Sequence, residues 1–162
     1  MRHRSVSAAA GLVLVAALAG CTPLPGEDPR ITQWRAERQA EAEADADADR
    51  DVVAVLSLQA DAAADGGRVE AVLARPALPT AITLECVGDG SIDLEIGSLS
   101  TGSGATTRTT TTLDAIDCAD GPLEIDPASL GEKPISSVDA IVSDADGDAV
   151  WFLTIRGDVA AS

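Results

Sequence analysis

Histidine is nearly missing from this chain of 162 residues; the single one is His3. Tyrosine and asparagine are absent, lysine occurs once (Lys133), and the only aromatic side chains are Trp34, Trp151 and Phe152. With no histidine beyond position 3, the body of the chain has no Ser-His-Asp or Cys-His catalysis and no His-ligated zinc. It also lacks the side chain most often used as a general base near neutral pH. No Ser-x-x-Lys motif precedes Lys133, which leaves carboxylates as the main reactive groups. So few aromatics offer no stacking platform for a sugar, and Trp151 sits among apolar neighbours as a core residue would. Basic residues are scarce as well: 11 Lys and Arg face 27 Asp and Glu, for a net charge of −16. Such a surface does not hold nucleic acid or anionic lipid by electrostatics. It suits solubility first, and cations or basic partners second. The same bias, rich in Ala and Asp, is what a GC-rich genome produces. Finally, a membrane-crossing helix needs about 20 apolar residues, and the longest such run, Val6 to Ala19, is shorter and is broken by Ser7 and Gly11.

That run is nevertheless the most specific feature present. Arg2 and Arg4 precede it, and Leu18-Ala19-Gly20-Cys21 closes it. A short basic segment, an apolar stretch and small residues before a cleavage point make an export signal. An ordinary secretory signal fits that pattern too, but has no need of the cysteine. The last four residues resemble the lipobox of bacterial lipoproteins, and the whole is similar to small envelope lipoproteins of GC-rich bacteria. The resemblance implies cleavage between Gly20 and Cys21, a diacylglyceryl group on the Cys21 thiol and an acyl chain such as palmitate on its new amino group. Each buried CH₂ adds about 0.8 kcal/mol, so two or three chains anchor firmly. The expected location is the cell envelope, lipid-anchored and facing away from the cytoplasm. Without an Arg-Arg pair, general secretory export is the expected route.

Removing residues 1–20 leaves 142 residues, with nine basic groups (11 less Arg2 and Arg4) against 27 acidic ones, or about −18. That is room for one domain and a tether. Cys86 and Cys118 remain, and outside the cytoplasm such a pair reads as a disulfide. The expected organisation is a signal peptide at 1–20, a lipidated N-terminus with an acidic tether at 21–65, and a β domain at 66–162.

Asp28-Pro29 is a helix start, with Asp at the cap and Pro in the first turn. Residues 30–50 favour helix, but Ala40 to Asp49 alternate alanine with acid, and apart from Ile31 and Trp34 there is little apolar face. This predicts a solvated stalk. Val52 to Leu58 is apolar and fits either the helix end or a first strand. Val69 to Ala74 is β-compatible and stops at Pro76. Ile82, Leu84 and Cys86 alternate with Thr83, Glu85 and Val87; after Gly88-Asp89-Gly90, Ile92, Leu94 and Ile96 alternate with Asp93 and Glu95. This predicts a hairpin with one buried face and Cys86 pointing inward. Residues 98–105 read as a mobile Gly/Ser loop and the threonine run 106–112 as an exposed edge strand. Val138 to Ser143 and Val150 to Arg156 read as a second hairpin, its last strand apolar on both faces and so central in its sheet. Six to eight short strands at this spacing predict a mainly β fold: a small β-sandwich, Greek-key or jelly-roll-like, with one disulfide, preceded by a signal helix and a helical acidic tether.

Asp144, Asp146 and Asp148 form the sharpest candidate site. Alternating carboxylates can wrap calcium, which takes six to eight oxygens, but positions six and twelve of an EF-hand loop would fall on Ala149 and Ile155. The same residues also suit a tight turn around Asp146-Gly147. Asp93 with Glu95 is a carboxylate pair of the kind hydrolases use, in a chain where such pairs are common. The expectation is a non-enzymatic, membrane-anchored protein with a binding or structural role toward a protein or small-molecule partner, no nucleic acid and no cofactor beyond the covalent lipid. A calcium- or ligand-binding module is the alternative, and a carboxylate hydrolase the third reading.

Overall fold

The computed structural model describes residues 29–47, 51–60, 67–102 and 104–160. The expected signal segment, Gly20, Cys21 and the Asp28 cap lie outside these residues. Helix α1 (Pro29–Asp47) begins at the expected proline. Seven strands follow: β1 (Val52–Ala60), β2 (Arg68–Gly88), β3 (Ser91–Gly102), β4 (Ala105–Asp117), β5 (Leu123–Ile125), β6 (Ile135–Ala145) and β7 (Ala149–Val159). They form one antiparallel sheet in the order β1-β7-β2-β6-β3-β4, with β5 paired to β2. The fold is mainly β, as the alternation of apolar and polar residues predicts.

β2 explains how one sheet makes two facing halves. Its first part pairs with β6 (Arg68↔Ile141 to Ala77↔Ile135) and its second with β7 (Ala77↔Val159 to Gly88↔Ala149). The strand therefore runs straight through Pro76, where an end was expected. Pro76 and Pro79 fall at the change of partner, next to register shifts. A proline lacks the ladder N–H, so it is tolerated where a strand is leaving one neighbour for another. Chain on either side of this junction contributes to one shared core: Leu56, Ile82, Leu84, Trp151, Leu153 and Ile155 from one half, and Leu94, Ile96, Val138 and Ala140 from the other. Each fully buried Leu or Ile here contributes about 1.5–3 kcal/mol.

The facing of the strands agrees with the sequence, but the pairing of two of them does not. Ile82, Leu84, Ile92, Leu94 and Ile96 are buried as expected. However, β2 does not pair with β3, nor β6 with β7; β2 lies beside β7, and β3 beside β6. Both expected hairpins are arches that carry the chain from one half of the fold to the other. They lie against each other: Asp89 N donates to Asp148 O (3.3 Å), and Asp146 N donates to Ser91 O (3.2 Å). Gly147 is required at this crossing, since a Cβ there would sit 2.8 Å from the carbonyl carbon of Asp89. The hairpin that does form is β3–β4 (Ser91↔Asp117 to Gly102↔Ala105), closed by Gly104 at φ +83°. It takes up the expected 98–105 loop, burying Ser98, whose Oγ donates to Leu130 O (2.7 Å).

Val52 to Leu58 resolves as strand: Ala54, Leu56 and Ala60 face the core while β1 pairs with β7. The sheet thus begins upstream of the boundary expected at residue 66. β7, between β1 and β2, is central as predicted. Its outward side chains Val150 and Phe152 are covered by Ile31 and Trp34 of α1. The helix is docked on the sheet, not held away from it as a stalk. Among the described residues, no helix is long and apolar enough to cross a membrane.

Candidate functional site

Cys86, at the end of β2, and Cys118, just after β4, are bonded, with 5.0 Å between their Cα atoms. Cys86 sits opposite Trp151 in the β2–β7 ladder, so the bridge ties the central strand pair to the far edge of the other half. Trp151 is fully buried, a core residue as expected.

The three aspartates of the calcium expectation are not brought together as ligands. The Asp146 carboxylate accepts from Ser91 N (2.5 Å) and so belongs to the stacking of the arches. Asp144 Oδ1 accepts from Ala145 N (2.9 Å), and Asp93 Oδ1 from Ala115 N (2.7 Å), in the bulge of β4. A shallow recess is lined by Ser91, Asp93, Asp144 and Asp146, while Asp148 lies outside it. Among the described residues, no group of three or more His, Cys, Asp or Glu is placed to hold a metal ion. The arch accounts for Asp146, whose carboxylate is taken by the Ser91 N–H of the second arch, while Asp144 is taken by the neighbouring Ala145 N–H. Of the Asp93–Glu95 pair, one member holds the Ala115 amide and the other lies 4.0 Å from Arg108.

Sequence reasoning missed a charge network on the outer face of β2, β6, β3 and β4. Asp139 on β6 is only 2% exposed. Arg108 on β4 reaches it with both terminal nitrogens (2.8 and 3.0 Å), and Arg68 on β2 adds a contact at 3.2 Å. The Arg108 side chain can cross β3 because Gly97 stands between them. A Cβ on Gly97 would lie 2.7 Å from Asp139 Oδ1 and 2.8 Å from Arg108 Cζ. The bond to Asp139, then its charge, raise the Arg108 pKa above its ordinary value. A guanidinium shifted in that direction contributes fully below its ordinary pKa and loses the contribution only as pH rises through the raised one. The signal in the sequence was weak: a lone Arg in a threonine run and an Asp among apolar β6 residues.

A cleft of about 160 Å³ lies between α1 and the sheet, below the roughly 300–1,000 Å³ typical of small-molecule sites. Its charges are already matched: Arg38 with Glu85 (3.1 Å) and Glu41 (2.8 Å), and Arg156 with Asp45 (2.7 Å). Arg156 is thus an ion-pair partner.

Compared with protein families, curated proteins and solved structures, the chain shows no significant match.

Proposed function

We propose that the chain is a lipid-anchored envelope protein with a non-enzymatic binding or structural role. The observation that carries this reading is the sequence Leu18-Ala19-Gly20-Cys21 at the end of a short apolar run with a basic start. The disulfide between Cys86 and Cys118 is in keeping with a compartment outside the cytoplasm. The docked helix adds a geometric consequence. Since α1 packs against the sheet from Ile31 onward, the stretch between Cys21 and Pro29 is the whole leash. At 3.3–3.6 Å per residue it spans at most roughly 30 Å, so the domain stays close to the lipid surface.

The test is the intact mass of the protein purified from its native membrane. The expected result is a chain beginning at Cys21 that carries diacylglyceryl or triacyl mass. An unlipidated chain, or one beginning elsewhere, would overturn the proposal.

A further inference from the structure

The sheet has two terminal strands, β1 and β4, and they are protected very differently. β1 is flanked by α1, with Arg35 donating to Gln59 (3.0 Å). β4 runs thirteen residues as Ala-Thr-Thr-Arg-Thr-Thr-Thr-Thr-Leu-Asp-Ala-Ile-Asp. A strand edge left open presents unpaired N–H and C=O groups, and proteins usually guard it with Lys, Pro, a short length or an early bulge. β4 has neither Lys nor Pro, and its bulge comes only at the far end, between the pairs Ile92↔Ile116 and Leu94↔Leu113. Its one basic side chain, Arg108, is drawn over Gly97 onto Asp139, away from the edge. The 3-10 turn Pro127–Leu130 meets β4 on its inner side, through Thr111 Oγ1 donating to Ser129 O (2.8 Å). No described strand covers the outer edge.

From this we infer that β4 is a self-association surface: it pairs antiparallel with β4 of a second copy about a two-fold axis, extending the sheet through both molecules. Charge selects this occupant. Two chains of net charge −16 repel over most of their surfaces, but residues 105–113 contain no carboxylate. On the neighbouring outer face, Arg68 and Arg108 offset most of Glu70, Glu95 and Asp139. Centred on Thr111, the register places Thr110 opposite Thr112 of the second copy, and the pair occurs twice. Threonine pairs are favourable across an antiparallel ladder. Because Arg108 is held on Asp139 of its own chain, it brings no like charge to the seam. An interface of this kind is isologous and closes at the dimer.

The inference stands apart from the lipid anchor, and its test separates the two. The full chain is solubilised with detergent micelles in large excess over protein, so that two anchors rarely share a micelle, and is followed by sedimentation at increasing protein concentration. A dimer is expected. The double variant Thr110→Lys, Thr112→Lys puts like charges opposite each other at exposed positions, clear of the core. It should weaken the dimer at least tenfold while circular dichroism stays that of the parent. A parent that remains monomeric, a variant that dimerises equally well, or assembly beyond the dimer would each overturn the inference.

Discussion

Gly97 is the residue on which the outer charge network depends. Its position opposite Asp139 in the β3–β6 ladder, and next to the β4 strand that carries Arg108, makes it the gap through which a guanidinium reaches across a neighbouring strand. Its backbone needs no unusual torsion; what matters is the missing side chain. Gly97→Ala should therefore push the guanidinium off Asp139 and leave a carboxylate that is 2% exposed with Arg68 alone. Overpacking of this kind costs about 1–3 kcal/mol. The expected outcome is a lower melting temperature, and Gly97→Ala with Arg108→Ala should recover part of the loss, because the clash with the guanidinium is gone and only the approach to Asp139 Oδ1 remains. If the single variant melts with the parent, the guanidinium was free to move and the close approach has no energetic weight. None of this was legible in the sequence. Arg108 and Asp139 are 31 residues apart on strands that are not neighbours, and no local pattern records that a glycine lies between them.

At the scale of elements, inward and outward faces were legible and partners were not. Alternation along β2 and β3 is local, so the inward residues of each could be read directly, while β7 is apolar on both faces and only its central place was legible. Whether Gly88-Asp89-Gly90 makes a hairpin or an arch depends on β7 being there to pair with β2, and that information lies 60 residues downstream. Helix α1 posed a similar problem. Two apolar residues in an acidic helix look like a stalk until the sheet offers Val150 and Phe152 opposite them. Trp34 meets Phe152 edge to face, with ring centroids 5.4 Å apart, and the acidic end is held by Arg156 on Asp45 (2.7 Å). Trp34→Ala should loosen the helix by about 1–2 kcal/mol, less than the 3–5 of a fully buried aromatic, since Trp34 is partly exposed. Trypsin should then cleave after Arg35 and Arg38 several-fold faster, with the sheet still folded. Equal cleavage rates in variant and parent would mean that this aromatic contact does not hold the helix.

For the whole molecule, the question is what keeps the two halves closed. β2 belongs to both, and the stacked arches join them at one end, but strand pairs β1–β7 and β3–β4 touch only through core side chains. The Cys86–Cys118 bridge adds a covalent tie between the inner strand β2 and the chain leaving edge strand β4. It was legible because two cysteines downstream of an expected export signal read as a disulfide, and because alternation already turned Cys86 inward. Its sequence separation is 32, and closing a loop of that size restricts the unfolded chain by about 3–4 kcal/mol. Reduction should therefore lower the melting temperature by on the order of 10 °C, in a single transition. The loss should be general, because both halves line one core and neither has a second one to fall back on. Cys86→Ala with Cys118→Ala should reproduce the shift without reductant. Two separate melting steps after reduction would show instead that the halves are stable apart, with the bridge and β2 acting as a hinge between them.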